Sequence, residues 1–254
     1  MAFDHVSFRY PRARANALDD VSFQLAAGTS LGIVGESGSG KTTILQILLG
    51  LRAATAGTML FDGTPLDPRS RRQMRAVRRR VQPVFQDPYS SLDPRQRVGR
   101  IVAEPVISLG LERGRAQVEE RARAALSDVG LDADAGDRYP AEFSGGQRQR
   151  IAIARALVTG PEVLVADEPV SALDVATRIE VLELLRRLQA TRGLTVVMVS
   201  HDISAVAALC PETLVLKDGH VVEHGPTLEL VREPREAYTR RLIDAIPRLP
   251  SEVT

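Results

Sequence analysis

Tryptophan is absent from this 254-residue chain, aromatic residues make up only 4%, and there is a single cysteine, Cys210. One thiol cannot close an internal disulfide, and no Cys/His cluster has the spacing of a zinc site. A reducing, cytosolic setting is expected, with Cys210 as a small core residue. No apolar run approaches the roughly 18 residues that cross a bilayer; the longest are short, such as Thr195–Val199. The first residues, Met1-Ala2-Phe3-Asp4-His5, lack the basic start and apolar stretch of a signal peptide. A soluble protein is expected, one still able to dock on a membrane protein. Excess charge is lacking too. The net charge of +1 gives no broad field for nucleic acid or for an acidic partner.

One local exception is the segment from Arg69 to Arg80, where seven of twelve residues are arginine. Aromatics for base stacking are missing there, so a solvated helix face with Met74 and Val77 turned inward is expected, and no nucleic-acid partner. The 44% hydrophobic and 26% charged content fits one large folded domain, or one domain carrying an inserted subdomain.

Alternation over Val6–Tyr10 and Val21–Leu25 predicts an antiparallel strand pair joined by an arginine-rich connection. Leu31–Val34 reads as a buried strand. It leads directly into Gly35-Glu36-Ser37-Gly38-Ser39-Gly40-Lys41-Thr42, followed by Ile44, Leu45, Ile47, Leu48 and Leu51 at helical spacing. Strand, glycine loop and helix form the context that a phosphate-binding loop requires. Glycines let backbone N–H groups face phosphates, the helix N-terminus adds partial positive charge, Lys41 adds a full one, and the Thr42 hydroxyl suits Mg²⁺.

Thr58–Phe61 reads as a strand entering an Asp62-Gly63 turn, and Val84-Phe85-Gln86 as a strand end. From residue 95 to 160 the pattern is helical. One stripe holds Val98, Ile101 and Val102. A second holds Val118, Ala122, Ala125, Leu126 and Val129, and a third Ile151, Ala154, Leu157 and Val158. A helical subdomain interrupting an α/β core is expected. Glu162–Ala166 then reads as a buried strand ending at Asp167-Glu168, and Thr195–Val199 as another ending at His201. A helix over Thr177–Gln189 is expected to bury Ile179, Leu182, Leu185 and Leu188. A hairpin turns at Asp218-Gly219, and short helices follow near Thr227–Val231 and Arg235–Ile246.

In parallel α/β sheets ligands sit at the carboxyl ends of the strands, so these polar strand ends should converge. Asp167 then falls on the Mg²⁺ side of the phosphate loop, and Glu168 is placed to act as general base. His201 is either a satisfied structural histidine or a contact to the γ-phosphate. His5, His220 and His224 lack such a context.

Gly35–Thr42, Gln86, Ser144-Gly145-Gly146-Gln147, Val163–Glu168, Ser171-Ala172-Leu173-Asp174 and His201 occur together and in that order. With them the whole chain resembles the nucleotide-binding subunit of an ATP-binding cassette (ABC) transporter. The fold implied is α/β, a P-loop NTPase core with an N-terminal antiparallel β region and an inserted α-helical subdomain. Its expected layout is a single domain over 1–254. Residues 1–94 and 161–233 form the core and β region, about 95–160 the helical part, and 234–254 a short tail.

The resemblance implies two cassettes packed head to tail with ATP between them, the second being a copy of this chain or a paralogue. It implies nucleotide contacts from Gly35 through Lys41, Thr42 and Thr43, and Tyr10 stacking on adenine. Mg²⁺ would be held by Thr42 and Gln86, with Asp167 helping through water. Glu168 would polarise the attacking water and His201 would hold the γ-phosphate. Ser144, Gly145, Gly146 and Gln147 would act on the partner's nucleotide, and Ser171, Ala172, Leu173 and Asp174 would join the two sites.

The stretch Val84–Pro94, the segment Glu168–Val175 and the tail Tyr238-Thr239-Arg240-Arg241-Leu242 are similar to importers of oligopeptides, dipeptides or nickel. That likeness implies two permease subunits, an extracytoplasmic binding protein acting indirectly, and a peripheral place at the cytosolic membrane face. Exporter ATPases, and soluble ABC ATPases of DNA repair or translation, remain open as alternatives. Ala237 departs from the proline frequent in that tail. Nothing after Pro250 resembles the cysteine-bearing extension of some members, so no iron–sulfur site is expected.

Overall fold

The structure is a computed structural model and describes residues 1–245. Ile246, the expected end of the last helix, and Pro250 lie outside the described residues. An antiparallel pair comes first, β1 (Ala2–Phe8) and β2 (Leu18–Gln24). Strand β3 (Leu31–Val34) follows, then helix α1 (Lys41–Leu48), strands β4 (Ala56–Phe61) and β5 (Thr64–Pro65), helix α2 (Arg71–Arg80) and strand β6 (Val81–Val84). Next come the single turn α3 (Pro88–Ser91), α4 (Val98–Ser108), α5 (Arg115–Asp128) and α6 (Gly145–Leu157). The chain then runs through β7 (Val163–Asp167), α7 (Val175–Arg192), β8 (Thr195–Ser200) and α8 (Ile203–Ala207). It continues with the hairpin β9 (Glu212–Lys217) and β10 (His220–Pro226), and with α9 (Thr227–Arg232) and α10 (Ala237–Asp244).

Two sheets result, with strand orders β2-β1-β4-β5 and β10-β9-β3-β8-β7-β6. In the larger sheet β9, β3, β8, β7 and β6 run parallel, and β10 returns antiparallel to β9. Alternate residues of each central strand serve different cores, because both faces are covered. Val163, Val165, Val197 and Val199 pack with α1 and the antiparallel sheet, around Phe3, Phe23, Ile44 and Leu48. Leu164, Ala166, Val196 and Met198 pack on the other side with the helices, around Val102, Ile151, Leu184 and Leu185. Pro83 sits on β6, the edge strand, where a missing N–H is tolerated.

Several expectations shift in detail. β1 begins earlier than the alternation indicates, because His5 takes a left-handed backbone (φ 50°) and the pairing slips between Phe3 and Phe8. That bulge breaks the period-two pattern. β1 is also central in its sheet, and Tyr10 lies beyond its end. Leu51 does not share the buried face of α1. Gly50, in the left-handed region, follows the Leu49 cap, and Leu51 is 60% exposed. Leu182, Leu185 and Leu188 of α7 are buried as expected, but Ile179 is 53% exposed and Val181 and Leu184 complete the buried face. The arginine-rich α2 buries Met74 and Val77 as its spacing predicts.

Candidate active site

β3, β7 and β8 all end at one cleft of about 530 Å³, lined by Tyr10, the phosphate loop and α1 residues, Gln86, Asp167, Glu168 and His201. Gly40 takes a left-handed backbone (φ 108°) and is the N-cap of α1. A Cβ there would press on the Ala17 carbonyl and the Leu18 side chain, so only glycine fits this close passage. Lys41 is buried and folds back over the loop. Its Nζ donates to the Gly35 and Glu36 carbonyls, both at 2.7 Å. Burial lowers its pKa, against the pull of Glu168, Asp167 and Glu36.

Asp167 is half-buried at the end of β7. Burial first, and then its neighbour Glu168, push its carboxyl up, while Lys41 draws it back. Glu168 has a left-handed backbone (φ 45°) immediately before Pro169, which is strained for a non-glycine residue. Its N–H donates to the Val199 carbonyl at 2.9 Å, and its own carbonyl accepts from Ser171 Oγ at 3.1 Å. These bonds hold the side chain toward its neighbours. Glu168 Oε2 accepts from Gln86 Nε2 at 3.3 Å and lies 3.0 Å from His201 Nδ1. A neutral imidazole that donates from Nδ1 has only an acceptor at Nε2. To donate to a phosphate, His201 must therefore release Glu168 or carry both protons.

The Tyr10 hydroxyl pairs with Thr43 Oγ1 at 3.1 Å and donates to Gln46 Oε1 at 3.3 Å, while the Arg52 guanidinium lies 4.7 Å from its ring centroid. Tyr10 lines the cleft, with its ring partnered by arginine. Ser144 to Gln147 are not among the lining residues of this cleft. Ser144 caps α6: its Oγ accepts from Gln147 N–H at 3.3 Å, and Gln147 Oε1 accepts from Ser144 N–H at 3.0 Å. This reciprocal pair is a capping box. Asp174 likewise caps α7, accepting from Thr177 N–H at 3.0 Å and Thr177 Oγ1 at 2.7 Å. Bonds from the Thr177 hydroxyl and then its N–H hold the Asp174 carboxyl low.

The family model described as ABC transporter matches residues 18–171, more than half of the chain. The chain belongs to the ABC transporter family. The cassette binds ATP and hydrolyses it. It is 48% identical over 235 residues to a putative peptide import ATP-binding protein of Brucella ovis, covering 92% of this chain and 74% of that one. It is 44% identical over 239 residues to the dipeptide transport ATP-binding protein DppF of Escherichia coli K12, covering 94% and 71%. Among solved structures it is similar to cbiO1 of Clostridium perfringens, part of the ABC transporter complex cbiONQ. The TM-score there is 0.83 and the identity 30%, covering 91% of this chain and 90% of that one. It is also similar to the cassette MJ0796, described as dimeric in a post-hydrolysis state with ADP and Pi. Here the TM-score is 0.78 and the identity 32%, covering 89% and 98%.

Two features of the cassette's site escape a residue-by-residue reading of motifs. Gly146 is buried, and a Cβ there would overlap the Thr177 Cγ2 methyl. Its small size therefore serves helix packing between α6 and α7. A Cβ on Gly145 would meet no other element of the described residues closer than 3.9 Å. Gly146→Ala is expected to cost about 2 kcal/mol by overpacking, a fall of roughly 5 °C in melting temperature. Thr177→Ser removes the obstructing methyl but keeps the capping hydroxyl, so adding it to Gly146→Ala should restore most of the loss in a thermal melt. The second feature is Tyr238, whose hydroxyl accepts from the Glu36 N–H at 3.0 Å across 202 residues of chain. Only the tail motif Tyr238–Leu242 marked that region, without a role.

Proposed function

We propose that this cassette is the ATP-hydrolysing subunit of an importer of peptides, bound peripherally at the cytosolic face of the cell membrane. The observation that carries the chemistry is the convergence of Lys41, Thr42, Gln86, Asp167, Glu168 and His201 on one cleft. The peptide cargo rests on the relatives named for peptide and dipeptide transport and on the importer-like stretches of sequence. Nickel is the other cargo of the same subfamily likeness. The whole chain, 1–254, acts as one ATP-binding domain, with about 95–160 as its helical part.

Lys41 swings from its loop carbonyls to the phosphates of ATP, and the loop N–H groups and the start of α1 add partial positive charge. The Thr42 hydroxyl and the Gln86 amide oxygen would hold Mg²⁺, with the Asp167 carboxylate helping through water, and these hard oxygen donors fit that ion. The raised Asp167 carboxyl beside Glu168 is where a cation lowers electrostatic cost. Such an ion would supply charge neutralisation to the triphosphate. Glu168 takes the proton side of the attacking water, and His201 holds the γ-phosphate.

Tyr10 offers its ring to adenine. Ser144, Gly145, Gly146 and Gln147 face the nucleotide of a second cassette, a copy of this chain or a paralogue, and Ser171–Asp174 link the two sites. The N-terminus of α6 then points partial positive charge at the partner's γ-phosphate.

Hydrolysis opens the pair and resets two permease subunits, which receive solute from an extracytoplasmic binding protein. The permeases engage the Gln86 region. Beside it lies a cleft of about 380 Å³ lined by Phe85, Leu51, Pro105 and Arg155 among others. From this loop the Tyr89 ring lies 4.2 Å from the Arg148 guanidinium of α6, a path from permease to the trans stretch.

The test is ATP hydrolysis by the cassette assembled with its permeases in vesicles. Peptide-loaded binding protein should stimulate it several-fold. Stimulation by nickel alone would reassign the cargo, and recovery only with ribosomes or DNA would contradict import.

A further inference from the structure

The phosphate loop is buttressed from behind by the carboxy-terminal part of the chain. The turn of the β9–β10 hairpin reaches it directly, with the Gly219 N–H donating to the Ser39 carbonyl at 3.0 Å. A Cβ on Gly35 would overlap the Leu216 carbonyl of β9, so loop and strand are in close contact. The approach to α10 is seated on the same hairpin. The Glu223 carboxylate of β10 accepts from the Arg235 N–H at 3.0 Å and the Glu236 N–H at 3.2 Å.

Tyr238 stands in the first turn of α10 and is 6% exposed. Lys217 Nζ lies 5.3 Å and the Arg241 guanidinium 5.9 Å from its ring centroid. Its hydroxyl accepts from the N–H of Glu36. That N–H belongs to the same peptide unit as the Gly35 carbonyl, which accepts from Lys41 Nζ. The Gly35–Glu36 peptide is therefore held at both ends, by the tail on one side and by the phosphate-binding lysine on the other.

We propose that Tyr238 is a positioning residue of the nucleotide site: its hydroxyl fixes the orientation of the Gly35–Glu36 peptide, and through it the seat of Lys41. This rests on the cassette's ATP binding and extends it to the tail. A peptide unit flanked by glycine turns easily. Without the hydroxyl, its N–H and C=O are free to exchange sides, and Lys41 loses a fixed starting point. Only part of the population then presents the loop correctly, and apparent affinity falls by that fraction. Glu36 is exposed and its bond to Tyr238 is only part-buried, so losing this one hydrogen bond changes global stability little. The effect belongs to nucleotide affinity.

The experiment compares the full chain with Tyr238→Phe, which keeps the ring and its cation contacts, and with Tyr238→Leu, which loses both. In an ATP titration Tyr238→Phe should weaken binding about fivefold, the equivalent of roughly 1 kcal/mol for one hydrogen bond. The rate at saturating ATP in the assembled transporter should stay within about twofold, and the melting temperature within about 2 °C. Tyr238→Leu should bind at least as weakly and also melt lower. Wild-type affinity in Tyr238→Phe, with loss confined to Tyr238→Leu, would overturn the proposal and leave Tyr238 as packing alone. Parallel loss of affinity and melting temperature in Tyr238→Phe would overturn it as well. Failure of the wild-type chain itself to bind ATP would instead strike at the ATP-binding reading beneath it.

Discussion

Changing Glu168 to Gln is expected to lower ATP turnover by at least about a hundredfold while leaving MgATP binding as strong as in the wild type or stronger. The amide keeps the size and shape of the carboxylate and can still pair with Gln86 or His201, which lie 3.3 and 3.0 Å from Glu168 Oε2. It cannot take a proton from water. The backbone that aims the side chain is untouched, because its left-handed turn is held by the Val199 carbonyl and the Ser171 hydroxyl. Removing one negative charge from beside Asp167 and Lys41 favours a polyanionic ligand. Bound but unspent ATP should then keep two cassettes closed. Phosphate release and elution size in MgATP read both effects. Turnover undiminished in this variant would remove Glu168 as the base.

Changing Ser144 to Arg is expected to reduce hydrolysis to about a hundredth or less, for a different reason. The residue is the N-cap of α6, so its loss removes one cap, a cost of about 1 kcal/mol. Phe143, Ile151 and Ala154 are buried in the core and keep the helix in place. The larger consequence is a bulky side chain at the exposed end that is proposed to meet another cassette's γ-phosphate. Ser144→Ala serves as the control. It loses the same cap without adding bulk, and should retain at least about a tenth of the activity. Equal loss in the two variants would point to capping alone.

Much of this was legible in the chain because the phosphate loop, the two apolar strands ending at Asp167 and His201, and their order admit few arrangements. The convergence of Lys41, Asp167, Glu168 and His201 follows from parallel strands sharing one carboxyl edge. What was less legible has local causes. The extent of β1 was hidden by a bulge at His5 that breaks alternation. Leu51 and Ile179 satisfy helical spacing yet face solvent, since spacing gives a face and the fold decides whether anything covers it. Ser144-x-x-Gln147 fits the pattern of a capping box as well as that of a phosphate contact, and sequence alone does not separate the two. Gly146 is dictated by a Thr177 methyl 31 positions away, and Tyr238 reaches a backbone N–H, a partner that carries no side-chain signal.

The site is proposed to be divided, one chain holding a nucleotide through Lys41 and contributing Ser144 to a different nucleotide. This division is tested most directly by titrating ATP into the isolated chain carrying either Lys41→Ala or Ser144→Arg. Lys41→Ala is expected to weaken binding at least about thirtyfold, through loss of a buried charge at the phosphates. Ser144→Arg is expected to bind within about twofold of the wild type although its hydrolysis falls to about a hundredth or less. Loss of affinity in Ser144→Arg comparable to that in Lys41→Ala would place both residues at one nucleotide within one chain, and the divided site would be wrong.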